Sequence, residues 1–105
     1  MKFNKHIACK CGFEYTHIES VTVFARNNDE GPTGLVITAH VGCEFGRKPK
    51  ADIETASMDA NPAPRRDAVK IELICEECEE TSVFIIAQHK GITYVDSDVS
   101  IEEYR

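Results

Sequence analysis

The stretch VKIELICEECEETSVFIIAQ, residues 69–88, decides the fold of this chain. Up to Cys75 it alternates apolar and polar side chains, and from residue 82 it is apolar on both sides, two patterns that are typical of β-strands. The segment between them, Cys75-Glu76-Glu77-Cys78, has the cysteine spacing of zinc ribbons. The stretch therefore predicts a β-hairpin with two metal-ligating cysteines at its turn, and it predicts residues 82–88 as the central strand of a sheet.

Further strands are predicted on both sides of this hairpin, because the same period of two recurs along the chain. They cover residues 20–26, 34–41, 52–57 and 92–95, and they are separated by a polar turn at 27–32 and a proline-containing loop at 60–66. The sequence contains no long helical pattern. We therefore expect a mainly β fold, which is a twisted antiparallel sheet or small sandwich with meander connections and a zinc-ribbon-like four-cysteine clamp.

A second cysteine pair near the start supplies the other half of a metal site. Cys9 and Cys11 are followed by Gly12, and we expect residues 6–12 to form a tight turn. A tetrahedral zinc ion with Zn–S bonds of about 2.3 Å requires sulfur atoms about 3.8 Å apart, which two close pairs on two turns supply. The sequence thus predicts one structural zinc ion, bound by Cys9, Cys11, Cys75 and Cys78.

Replacement of one of these ligands by His6, His17 or Cys43 remains an open alternative, because the spacing of the first pair is one residue tighter than usual. Four sulfur ligands would leave no coordination position for a catalytic water, and no thiol with an activating environment is found in the sequence. We therefore expect no catalytic residues and a non-enzymatic function.

Length and composition indicate one domain. The 105 residues would divide into two cores that are each marginal in size, so we expect residues 1–96 to form a single zinc-stabilised β domain. Residues 97–105 are expected to be an acidic C-terminal edge segment or tail.

The number of cysteines bears on the compartment. The chain has five, an odd number, and no export signal, which argues against a disulfide framework. No stretch approaches the roughly 20 apolar residues of a membrane span. A cytoplasmic protein without membrane association is expected.

Charge indicates the kind of partner. The chain has 12 Lys and Arg residues against 18 Asp and Glu residues, and the formal net charge of -6 favours a basic protein partner over a phosphate backbone. The leading hypothesis is a binding module that acts through protein contacts. The alternative is a nucleic-acid-binding zinc ribbon that uses Arg47, Lys48, Lys50, Arg65 and Arg66. Partner contacts are predicted at Arg65, Arg66, Gln88, His89 and Lys90.

Several short motifs together resemble one protein family. They are Cys11-Gly12, Tyr15-Thr16-His17, Val21-Thr22-Val23-Phe24, Asn61-Pro62 with Arg65-Arg66, Cys75-Glu76-x-Cys78 and Ile86-Ala87-Gln88-His89-Lys90-Gly91. The chain is similar in these motifs to a family of small uncharacterised zinc-ribbon-like proteins of bacterial mobile elements and phages. The family opens with cysteine, proline, any residue, cysteine and glycine, whereas Ala8 and Cys9 occupy the first two places here. The resemblance implies a zinc ion and a phage or mobile-element origin, and it implies no activity.

Overall fold

Eight β-strands make up the described part of this computed structural model, which covers residues 5–41 and 48–103, with side chains described for 5–41 and 48–99. The strands are β1 (Lys5–Ala8), β2 (Thr16–Arg26), β3 (Thr33–His40), β4 (Lys50–Ser57), β5 (Ala68–Cys75), β6 (Thr81–His89), β7 (Ile92–Ser97) and β8 (Ser100–Glu103). Six of them form one antiparallel sheet in the order β4-β3-β2-β5-β6-β7, and β1 pairs with β8 in a second sheet. Within the described ranges there is no helix that could cross a membrane.

The predicted mainly β fold is confirmed, and the large sheet consists of two meanders. Strands β2, β3 and β4 form one, strands β5, β6 and β7 form the other, and β2 lies beside β5. The prediction that residues 82–88 form the central strand is wrong, because β6 lies second from an edge and β2 and β5 occupy the centre. The strand is apolar on both sides because Phe84 and Ile86 belong to one apolar face of the sheet, while Ala87 packs against a small core on the other face.

The start of the chain also differs from the prediction. Residues 6–8 belong to β1 and only the segment from Cys9 onward is a turn, so the predicted turn over 6–12 is wrong in its first half. Strand β1 pairs antiparallel with β8, from Lys5 opposite Glu103 to Ala8 opposite Ser100. The two segments are far apart in the sequence, and a four-residue strand has no pattern of its own that would reveal such a pairing.

One face of the large sheet carries a row of six β-branched residues, one from each strand. Directly opposite each other in the register lie Ile53, Ile37, Val23, Val69, Ile86 and Val95. The four inner residues of this row are half-buried, and the two on the edge strands are 67% and 58% exposed. We call this side of the sheet the apolar face. It also includes the two neighbouring cross-strand rows, to which β2 contributes Val21 and Ala25.

The opposite face carries the buried core at one end. Phe24 and Ala68 pack there under the loop that connects β4 to β5, which contributes Met58 and Ala63, and all four side chains are at most 5% exposed. No second layer of comparable size covers the sheet within the described residues. The accessible surface of 7463 Å² exceeds the roughly 5,900 Å² that a compact globular protein of 11.7 kDa would have. The sheet is therefore a single layer with a small core.

Candidate metal centre

The first pair of cysteines lies on a turn that follows β1. The amide of Gly12 donates to the carbonyl of Cys9 at 2.7 Å, and the amide of Cys9 donates to the carbonyl of Phe13 at 3.0 Å. Gly12 has a φ of +96°, a conformation that a side chain would strain, so the glycine allows the chain to reverse directly after Cys11. The turn thereby holds two sulfur atoms close to the end of β1.

The second pair lies on the turn between β5 and β6. The amide of Glu79 donates to the carbonyl of Cys75 at 3.1 Å, and the amide of Cys75 donates to the carbonyl of Glu80 at 3.2 Å. The amide of Glu76 donates to the carbonyl of Tyr15 at 3.1 Å, which attaches this turn to the segment leading into β2. Because β2 and β5 are neighbours with Thr16 opposite Cys75, the pairing of these strands brings the two turns together.

The four sulfur atoms form one cluster. The Sγ atoms of Cys9 and Cys78 are 3.5 Å apart, those of Cys11 and Cys75 are 3.7 Å apart, and all four lie within 4.8 Å of one another. These separations are close to the roughly 3.8 Å expected around a tetrahedral zinc ion. Cys9 and Cys75 are buried, whereas Cys11 and Cys78 are exposed. The chain therefore has a site that could hold one metal ion at the surface of the turns.

Backbone amides point at the sulfur atoms, as a site for thiolate ligands requires. A hydrogen bond from the amide of Cys78, assisted by one from Glu77, lowers the pKa of the Cys75 thiol to about 7. The Glu80 amide also lowers the pKa of Cys78, but loss of hydration and the neighbouring sulfurs of Cys9 and Cys75 outweigh it and raise this pKa to about 12. Four crowded sulfurs cannot all be ionised without a cation between them, and a divalent metal ion would supply that charge.

The donor set restricts the kind of metal. Four thiolates in a tetrahedral arrangement suit zinc or iron, and carboxylate-preferring ions such as magnesium and calcium are disfavoured. The residues present therefore fit the predicted zinc ion, which would be coordinatively saturated by the four sulfurs. Such an ion contributes structure, and the chain's own turns orient its ligands.

The alternative ligands lie outside the cluster where the structure describes them. The Nε2 atom of His17 is 3.3 Å from a carboxylate oxygen of Glu76, and that of His6 is 3.7 Å from a carboxylate oxygen of Glu14. Neither histidine belongs to the group of clustered ligand atoms found among the described residues. Cys43 lies outside the described residues.

The predicted partner-binding residues lie at the opposite end of the sheet. Arg65, Arg66, Gln88 and Lys90 line one cavity together with Asp29 and Gly91. His89 does not line it; this side chain is half-buried and its Nδ1 has no hydrogen-bond partner among the described residues. Strand β5 runs between the two sites, from Ala68 near the cavity to Cys75 in the cluster, a distance of about 24 Å.

The basic residues of the nucleic-acid hypothesis do not form a single patch in the described part of the chain. Lys50 begins β4 opposite His40, and β4 ends at Ser57, just before the loop that carries Arg65 and Arg66. The eight residues of β4 therefore separate Lys50 from the two arginines by about 24 Å. Arg47 lies outside the described residues.

Two features of the surface were not predicted from the sequence. Asp29 lines the cavity and pairs with both arginines, and its place in a polar turn, among other Asp, Asn and Glu residues, carried no signal of this role. The apolar face is the second, although the alternation in each strand did indicate which residues share a side.

Comparisons with protein-family models, with curated proteins and with solved structures found no match for this chain.

Proposed function

We propose that this chain is a non-enzymatic, zinc-stabilised binding module that acts by docking a protein partner on the apolar face. The observation that carries the proposal is the row of six β-branched side chains that crosses the whole sheet without a covering layer among the described residues. The part of these side chains that stays in contact with water contributes no burial free energy to the fold, and exposed apolar patches of this kind mark interaction surfaces in soluble proteins.

A groove at the end of the sheet nearest the cysteine cluster extends this surface. It has a volume of about 560 Å³ and is lined by apolar residues of the large sheet, including Ile18, Leu73 and Phe84, and by β1 residues that include Ile7. Leu73 and Phe84 lie on the same side of the sheet as the apolar face, two residues along their strands from Ile71 and Ile86. A partner that covers the face would therefore also reach this groove.

The size of the apolar face requires a partner that contacts more than this face, and charge disfavours a second copy of the chain. Six strands and the residues from Val21 to Ala25 define an area of about 24 by 14 Å, or roughly 340 Å². A stable interface with any protein buries about 800 Å² on each partner, so the contact must extend beyond the apolar face into the neighbouring groove. Two copies would also bring together two chains of formal charge -6.

Charge describes the partner that fits. Both edge strands that border the apolar face carry exposed carboxylates: Asp52 and Glu54 on β4, and Asp96 on β7. These carboxylates alternate with Ile53 and Val95 and therefore project from the other side of the sheet. The formal net charge of -6 still favours a basic partner over an acidic one, because it acts at long range. The resemblance to mobile-element proteins adds the expectation that this partner belongs to the element or to its host.

A pair of matched variants tests the proposal. In Ile53→Thr with Val95→Thr, the two most exposed positions of the row become polar while the β-branched shape that suits a strand is kept. The control is Tyr94→Thr, which removes a side chain that is 50% exposed on the opposite face. A protein captured by the wild-type chain is purified and its affinity for all three forms is measured by calorimetry, with methyl NMR of the labelled chain to locate the contact.

The expected result is that the double variant loses affinity, that Tyr94→Thr keeps it, and that methyl signals of Ile37 and Val69 shift when the partner binds. Equal affinity of the double variant and the wild type would contradict the proposal. Light scattering of the chain alone provides the other check, because a dimer that the double variant abolishes would assign the apolar face to self-association.

A further inference from the structure

Three connections enclose a cavity at the end of the sheet opposite the metal centre. They are the β2–β3 loop with Asp29, the β4–β5 loop with Arg65 and Arg66, and the β6–β7 turn with Lys90 and Gly91. The cavity has a volume of about 340 Å³. It lies about 24 Å from the cysteine cluster, so its chemistry is that of its own side chains.

Positive charge is concentrated in this cavity although the chain is acidic. Two arginines and one lysine line it against one aspartate, and the Glu30 carboxylate lies 3.5 Å from Arg65, so the local formal charge is +1 in a chain of -6. Asp29 shares its two carboxylate oxygens between Arg65, at 3.1 Å, and Arg66, at 3.6 Å. Lys90 has no ion-pair partner among the described residues, so its charge is available to a ligand.

The loops around the cavity are held in place by hydrogen bonds. The amide of Glu30 donates to the carbonyl of Arg65 at 2.9 Å, and the side-chain amide of Asn61 donates to the carbonyl of Arg66, also at 2.9 Å. The amide of Gln88 donates to the carbonyl of Asp67 at 3.0 Å, which attaches β6 to the same loop. The cationic side chains therefore project from a fixed backbone, as pre-organised binding sites require.

The β6–β7 turn holds Lys90 in a conformation that a lysine adopts at a cost. Lys90 and Gly91 both have positive φ values, +52° and +79°, and they connect His89 to its partner Ile92 in a two-residue hairpin turn. Asn, Asp or Gly is preferred at the first position of such a turn, since these residues tolerate a positive φ. Strained residues of this kind cluster at binding sites, and here the strained residue is the cation without a partner.

From these observations we propose that the cavity binds a phosphate group carried by a small organic molecule. The guanidinium group of Arg66 would bind phosphate oxygens in a bidentate manner, while Lys90 lines the same cavity and Arg65 is held by Asp29 and Glu30. The volume reaches the range of about 300–1,000 Å³ that is typical of small-molecule sites, so it accommodates an organic body beside the phosphate. This site is independent of the proposed docking on the apolar face.

The test uses the zinc-loaded full chain labelled with ¹⁵N. Inorganic phosphate and adenosine monophosphate are titrated separately, and amide shifts are expected at Arg65, Arg66, Gln88 and Lys90, with tighter binding of the nucleotide. Lys90→Asn removes the charge and introduces a residue that the turn prefers, so it is expected to fold and to weaken binding about tenfold or more. The control Lys50→Gln, at the far end of β4, is expected to bind like the wild type.

The outcomes separate the proposal from its competitors. Absence of amide shifts with either ligand up to about 10 mM, or equal affinity of Lys90→Asn and the wild type, would overturn it. Equal weakening by Lys50→Gln would indicate general charge attraction and would overturn it as well. A short single-stranded oligonucleotide that binds more tightly than the nucleotide, with shifts that extend to Lys48 and Lys50, would assign the cavity to nucleic acid. Arg66→Gln, at a side chain that is 54% exposed, repeats the test without a change in the turn.

Discussion

Removal of the proposed zinc ion from the four-cysteine cluster is expected to unfold the chain. The cluster joins Cys11 to Cys75, which are 64 positions apart, and a crosslink that closes a loop of this length stabilises a fold by about 4 kcal/mol through the entropy of the unfolded chain alone. The apparent free energy of zinc binding in small modules, about 10–16 kcal/mol, includes the metal–ligand bonds as well. A whole domain is stable by only about 5–15 kcal/mol.

The single-layer architecture leaves little to compensate for this loss. Phe24, Met58 and Leu73 are the only large aliphatic or aromatic side chains among the described residues that are at most 5% exposed. With about 4 kcal/mol removed, and a shift of about 4–8 °C for each kcal/mol in a domain of this size, the melting temperature should fall by about 20 °C or more. Loss of the metal–ligand bonds should take the protein below its folding threshold at 25 °C.

Circular dichroism melting curves provide the assay. Zinc-loaded protein is compared with chelator-treated protein whose metal content has been measured as zero, and zinc is then added back to restore the transition. Cys75→Ser is expected to behave like the metal-free protein, whereas Cys43→Ser, at the one cysteine that is not among the four predicted ligands, should melt like the wild type. A metal-free chain whose melting temperature stays within about 2 °C of the zinc-loaded one would refute the reasoning.

Three further predictions concern the metal content and the sheet. Metal analysis and thiol titration of the native protein should give one zinc ion and one reactive cysteine, Cys43; two or more reactive thiols would exclude a four-cysteine ligand set. Gly34→Ala should lower stability by about 1–3 kcal/mol in urea denaturation, because its Cβ would collide with the carbonyl oxygen of Ala25. Thr33→Ala, at the exposed start of the same strand, removes only a solvent-exposed hydrogen bond from Asn27 and should cost about 0.5 kcal/mol or less. Arg26→Lys should cost about 1–3 kcal/mol in the same assay, since the guanidinium donates to backbone carbonyls of two loops and an ammonium group cannot reach all of them; an unchanged midpoint would show that these hydrogen bonds contribute nothing.

Much of the candidate metal site could be predicted because its information is local. Two residues separate the cysteines of the second pair and one separates those of the first, and turns that present such pairs need only a few neighbouring residues. Whether the two cysteine pairs lie close together in space is not decided locally. It depends on β2 lying beside β5 with Thr16 opposite Cys75, and this pairing joins segments almost 60 positions apart.

The cationic cavity could be predicted only as separate pieces. Arg65 and Arg66 follow two prolines, and Lys90 lies in a hairpin turn, so the sequence indicates that all three are on loops. They come together only because β5 and β6 are neighbours in the sheet. This places the β4–β5 loop, which carries the two arginines, next to the β6–β7 turn, which carries Lys90. The length of β4 separates them from Lys50.

The sequence by itself determined, to within a few residues, where the six strands of the large sheet run and which side chains share a side of each strand, since alternation is a property of consecutive residues. It also determined the metal-binding residue types. Only the tertiary structure decided that the apolar sides of six strands align into one face, because alignment depends on register. The bulge between Ile18 and Ser20 shows this dependence: one extra residue there keeps Ile18 opposite Leu73 while Val21 remains opposite Ile71. A tight turn sets the register of a hairpin such as β6–β7 locally, but the register between β2 and β5 is set by contacts between distant segments, and no local pattern specifies it.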